Sequence, residues 1–214
     1  MRIREIKIPK SIISLVSLAL VLNIVRIYLF DTTSFVYMFW NIFLAFIPFI
    51  ISSILLIHTN KNNFFRPFFI IGFILWFIFL PNAPYVVTDL IHLGRIRAVP
   101  VMFDAFLLFS SAAVSLLVGM YSLFDMEKIF LLKFSKKTTN IFIFFIILFS
   151  SFGIYLGRFL RFNSWDLFTS HSFLLSSIWN IFADPVANVN AYAYTFLFFI
   201  FIYISYISFK NSKI

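Results

Sequence analysis

Apolar residues run along this chain in six long blocks, at about 11–30, 35–57, 64–81, 101–124, 139–160 and 190–209. Each is long enough to cross a bilayer as a helix. The third block is the shortest, with roughly 17 residues before Pro81, or about 25 Å of helix. This places Pro81 and Pro84 near the far interface, where freed backbone groups find water or protein partners. Two of the connecting segments carry patterns of their own. If Val86–Leu93 is helical, Tyr85, Thr88, Asp89 and His92 share an arc of about 100°, opposite Val87, Leu90 and Ile91. That describes an amphipathic helix lying at the membrane surface. In 162–190, Asn163 or Ser164 can cap a helix and Asp166 suits its first turn. Leu167, Leu174, Ile178 and Phe182 form an apolar stripe that also carries His171, and "ADP" ends it. The pattern therefore predicts an all-α, polytopic transmembrane helix bundle. It has about six spans in one transmembrane domain, 1–214, with two short amphipathic helices in the outer loops.

Composition strengthens this reading. The chain is 62% hydrophobic and 12% charged, with mean hydropathy +1.01, against about 25% charged residues in soluble domains. Its solvent is lipid. The run after the first ten residues is long enough to span, and no small-residue cleavage site follows it, so it reads as an uncleaved first helix. The chain holds no cysteine, which excludes disulfides, thiolate metal sites and cysteine nucleophiles.

Charge sets the expected orientation. The net charge is +9, but the basic residues cluster between apolar runs, as membrane topology requires, so no nucleic-acid partner is expected. With the N-terminus cytoplasmic, Arg2, Arg4, Lys7, Lys10, Lys61, Arg66, Lys128, Lys133, Lys136, Lys137, Lys210 and Lys213 are inside. Only Arg95, Arg97, Arg158 and Arg161 are outside, and Arg26 lies within the first helix. Both termini are then cytoplasmic. Glu5, Asp125 and Glu127 fall inside, the last two in the basic loop 125–138, which reads as a topology anchor. Asp31, Asp89, Asp104, Asp166, Asp184, His92 and His171 fall outside or at outer helix ends. Arg26, within about 10 Å of the outer surface, either snorkels to the headgroups or contacts Asp31 or the outer cluster.

The chemistry-bearing residues thus gather on the outer side. Asp89 and His92, three apart, share a helix face. They could form a base with its orienting carboxylate, or half of a divalent-metal site to which Asp104 adds an oxygen and His171 a nitrogen. The plain alternative is a capped surface helix that meets water. Arg158 and Arg161 are also three apart and could clamp an anion, either an anionic lipid or phosphate-bearing ligand, or Asp89, Asp104 or Asp166 of the same chain. In "PNAP", Asn82 reads first as a turn residue, and Tyr85 and Trp165 as interface aromatics. "GIYLG" is a small-xxx-small packing pattern. No P-loop, nucleotide fingerprint, Gly-x-Ser-x-Gly elbow or His-Glu-x-x-His is present.

The blocks "FLPNAPYVVTDLIHL", "VPVMFDAFLLFS" and "GRFLRFNSWDL" resemble those of the DUF1361 family, bacterial multi-pass membrane proteins of unknown function. The likeness runs over about 40–205. It carries the family pattern onto Pro81, Asn82, Pro84, Tyr85, Thr88, Asp89, His92, Asp104, Arg158, Arg161, Asn163, Trp165 and Asp166, and leaves His171 outside it. It implies a multi-pass protein of the bacterial cytoplasmic membrane and supplies no activity.

Three functions fit. One is a ligand-, lipid- or partner-binding site in an outer Asp/His/Arg cluster, with Asn82, Tyr85, Arg158, Arg161, Asn163 and Asp166 as its binding residues. Another is an enzyme acting on a lipid-linked or phosphate-bearing substrate, with Asp89, His92 and Asp104 as catalytic or metal-binding groups. The third is a transporter, which would place its site near mid-membrane. The first two expect Asp89 and Arg158 to converge at one rim of the bundle. Substrate and oligomeric state stay open.

Overall fold

The computed structural model describes residues 10–60, 64, 66–94 and 99–211. Of the charges that set the expected topology, Arg2, Arg4, Glu5, Lys7, Lys61, Arg95, Arg97 and Lys213 lie outside the described residues. Among the described residues the structure is helical, without strands. The helices are α1 Lys10–Phe30, α2 Tyr37–His58, α3 Pro67–Phe79, α4 Asn82–Tyr85, a 3-10 helix Val86–His92, α5 Val101–Phe130, α6 Lys136–Phe159, α7 Asp166–Thr169, α8 His171–Ala183 and α9 Val189–Asn211. Six helical runs are long and apolar enough to span a membrane. The chain divides into two compact units, residues 1–139 and 140–214.

In the first unit α5 is the central element, packed against α1, α2, α4 and the 3-10 helix. Its buried face is rich in small residues: Ser111, Ser115 and Ser122 are fully buried. Small side chains let neighbouring backbones approach closely, which drives helix association where lipid offers no hydrophobic contrast. Ile12, Phe49, Val114 and Val118 join α1, α2 and α5 in one apolar cluster. Phe35, Met38, Ala45, Ala83, Val86, Leu107 and Leu108 form another.

The third span departs from the sequence expectation. The two prolines do not mark its far end, since the helical run continues to His92. Pro81 sits at the head of α4 with helical φ −57°, a position where a missing N–H costs nothing. The carbonyls the break releases are taken up locally. Ala83 N–H donates to the Leu80 carbonyl at 3.2 Å, and Asn82 Nδ2 donates to the Phe79 carbonyl at 2.9 Å. The prolines therefore restart the helix within this run. A Cβ built on Gly119 would lie 2.9 Å from Ala83 Cβ and 3.9 Å from Pro84 Cδ. Gly119 is well inside the 30-residue α5, about 27 Å from its first residue.

The end of α5 also corrects an expectation. Asp125 and Glu127 are not in a solvated loop; they belong to α5 and are buried. Asp125 accepts from Ser53 Oγ at 3.2 Å and Lys128 Nζ at 3.1 Å, and one turn earlier Trp76 Nε1 donates to Ser122 Oγ at 2.7 Å.

In the second unit α8 rests on α6 and α9. Ile181, Tyr155 and Ala191 are buried together, with Phe152 and Leu156 packed against them. Tyr192 hydroxyl donates to the Ile181 carbonyl at 3.0 Å. The predicted stripe is divided. Leu174 is buried, whereas Leu167 belongs to α7 and, like Phe182, is exposed.

Candidate functional site

One cluster of buried polar chemistry in the first unit lies where α1 ends and α2 and α5 begin. Arg26, in the last turns of α1, is 1% exposed. Its Nε donates to Asp104 Oδ1 at 2.7 Å, and Nη2 lies 3.5 Å from Oδ2. Asp104 is fully buried in the first turn of α5. Arg26 therefore does not snorkel; it pays its desolvation against a carboxylate 78 residues away. The guanidinium also stacks over Phe35, 4.3 Å from the ring centroid, a favourable contact for a desolvated cation. Nη1 is buried without a hydrogen-bond partner.

Aromatic contacts continue from this pair. Phe35 meets Tyr37 edge-on at 6.0 Å, and Tyr37 meets the His92 ring at 6.1 Å. His92 Nε2 is 3.8 Å from Asp89 Oδ1, an ion-pair distance beyond hydrogen-bond reach. The other Asp89 oxygen accepts from Asn41 Nδ2 of α2 at 2.8 Å. The spacing argument for Asp89 and His92 thus holds, but the face is reversed. Asp89 is 1% exposed, while Ile91 at 62% and Leu90 at 36% point away from the protein. The helical form explains the reversal. At three residues per turn, Val86, Asp89 and His92 eclipse on one edge, and Tyr85 and Thr88 fall on another. Val86 is buried like Asp89. The helix turns its polar edge inward and its apolar residues outward, the arrangement lipid demands. Thr88 Oγ1 donates to the Tyr85 carbonyl at 2.6 Å, and Asn82 serves the turn, as expected of it.

Arg158, Arg161, Asn163 and Asp166 belong to the second unit. Their helical pairing argument does not apply, because α6 ends at Phe159 and Arg161 has φ +61°. That left-handed backbone favours glycine; the Phe162 N–H there closes back on the Leu156 carbonyl at 3.2 Å. Asp166 accepts from the Asn163 N–H at 2.7 Å and from Thr169 Oγ1 at 3.2 Å. It sits in the first turn of α7, as its position suggests, but the residue that precedes this helix is Trp165 and not the expected cap, Asn163 or Ser164. His171 is exposed at the head of α8. Among the described residues no group of three or more His, Cys, Asp or Glu is placed to hold a metal ion. Asp104, offered above as a metal or catalytic oxygen, is taken by Arg26.

Asn41, Phe35 and Tyr37 were not singled out from sequence. Asn41 left a signal, as the only strongly polar side chain in the first half of α2. Phe35 and Tyr37 left none among 34 Phe and 9 Tyr.

Comparison with known proteins identifies a family. The model of a family described as "Protein of unknown function (DUF1361)" matches residues 40–205. No curated protein and no solved structure matches the chain.

Proposed function

The chain belongs to the DUF1361 family, and from that premise we propose that this multi-pass membrane protein binds a polar ligand at the Asp89–His92 cluster. One observation carries the reading. A carboxylate 1% exposed in a membrane-spanning run, braced by Asn41, faces an imidazole whose side chain is 22% accessible. Ionisable groups in such segments are costly and as a rule serve a function. The acid is buried and the base is reachable, so a ligand meets His92 first and Asp89 behind it. The seven-residue 3-10 helix that carries both exceeds the usual three or four residues, and such stretches often mark functional hinges.

The test compares the wild type with Asp89→Asn, which keeps shape and hydrogen-bonding capacity. Native mass spectrometry of protein purified from its own membrane reads any co-purifying small molecule. The wild type is expected to carry an adduct that the variant loses, with unfolding shifted by no more than about 1 kcal/mol. Equal adducts on both proteins, or none on either, would end the proposal.

The 3.8 Å carboxylate–imidazole pair also supports a second reading, an enzyme in which Asp89 orients His92 as a base toward a lipid-linked or phosphate-bearing substrate.

The family supports a place in the bacterial plasma membrane, and the charge bias supports an orientation with both termini cytoplasmic and α7–α8 outside. Single cysteines at exposed Ser172 and Ser135, in a chain without native cysteine, test this. An impermeant thiol reagent applied to intact cells should label position 172 and spare 135. The opposite pattern inverts the topology.

A further inference from the structure

Helix α8 is 13 residues long, about 20 Å, too short to cross a bilayer. Three sectors divide its circumference at 3.6 residues per turn. Leu174 and Ile181 are buried against the second unit. Next round the helix, Leu175, Trp179 and Phe182 occupy an arc of about 60° and are 60%, 73% and 58% exposed. Beyond them lie exposed Ser176 and Asn180. Phe173, exposed beside this polar arc, meets the Phe162 ring at 5.5 Å.

We infer that α8 is an interfacial helix whose Leu175–Trp179–Phe182 face inserts into the edge of the hydrocarbon layer, with Ser176 and Asn180 turned toward the headgroups. Its depth follows from its neighbours. α6 and α9 are spanning helices, joined through α7 and α8, so α8 lies at their shared end. The Phe182 ring is 5.9 Å from that of Phe152, and Phe152 is seven residues, about 10 Å, before the last residue of α6. That matches the 5–10 Å to which interfacial helices sink. Trp179, beside the polar arc, holds the place of an interface anchor. The partner is the hydrocarbon edge and not an anionic headgroup, because α8 contains no Lys or Arg to attract one.

The test uses the full chain in phosphatidylcholine vesicles, carrying one nitroxide-labelled cysteine at a time at positions 175, 176, 179, 180 and 182. Collision with oxygen, which concentrates in lipid, is compared with collision with a water-soluble nickel complex. Positions 175, 179 and 182 should favour oxygen, and 176 and 180 nickel. Adding phosphatidylglycerol should leave the depths unchanged. If 175, 179 and 182 are shielded from both reagents, the face is covered by protein and the inference fails. It fails equally if they favour nickel, or if insertion needs the anionic lipid.

Discussion

Asp104→Ala will cost about 3–5 kcal/mol of stability, among the largest single losses in the protein. Truncation leaves the Arg26 guanidinium 1% exposed with its Nε–Oδ1 contact of 2.7 Å gone, and an arginine cannot shed its charge. Arg26→Met leaves Asp104 buried without its partner and will also be destabilising. The double variant Arg26→Met with Asp104→Leu should recover to within about 1–2 kcal/mol of the wild type, since apolar replacement of a buried pair is often neutral or better. Unfolding by SDS titration in mixed micelles measures these proteins and, with Asp104→Leu as the second single variant of the cycle, yields the coupling energy. Additive losses, or a neutral Asp104→Ala, would show that the pair does not tie α1 to α5.

Substitution at Gly119 will be the most damaging change of size. The position left for its Cβ is 2.9 Å from Ala83 Cβ, an atom fixed to the backbone of α4, so neither side can yield by rotating a side chain. Gly119→Ala gains about 1 kcal/mol of helix propensity but overpacks by about 1–3 kcal/mol, for a net loss. Gly119→Val adds two methyl groups at the same contact and should lose more. Pairing Gly119→Ala with Ala83→Gly reopens the gap and should restore packing. Gly72 supplies the control. Its added Cβ would meet Leu55 Cδ2 at 2.6 Å, the far end of a flexible side chain, so Gly72→Ala should cost less than Gly119→Ala in the same titration. The reverse order would show that the Ala83–Gly119 approach does not lock the proline break against α5.

Local periodicity and solvent preference made much of the protein legible in advance. The spans α1, α2, α5, α6 and α9 follow from blocks of apolar residues, because a chain without water must satisfy its backbone within each helix. The Asp89–His92 pair follows from three-residue spacing, and the place of Asp166 in a first helical turn from the residues around it. These are interactions within one or two turns, and one or two turns of sequence specify them.

Sequence by itself therefore determined that this is a helical membrane protein, where five of its six long apolar helices run, and which residue types carry its chemistry. Tertiary structure alone decided how those residues are used. Which edge of 86–92 faces inward depends on Asn41 waiting on α2, and on a three-residue turn the sequence does not announce. The packing of the proline break against α5 depends on Gly119. The partner of Arg26 depends on bringing together positions 78 residues apart. The helical spacing expected of Arg158 and Arg161 does not apply, because α6 stops at Phe159. Each of these is a meeting between distant segments, and a lone sequence records its apolar blocks far more clearly than the contacts that join them.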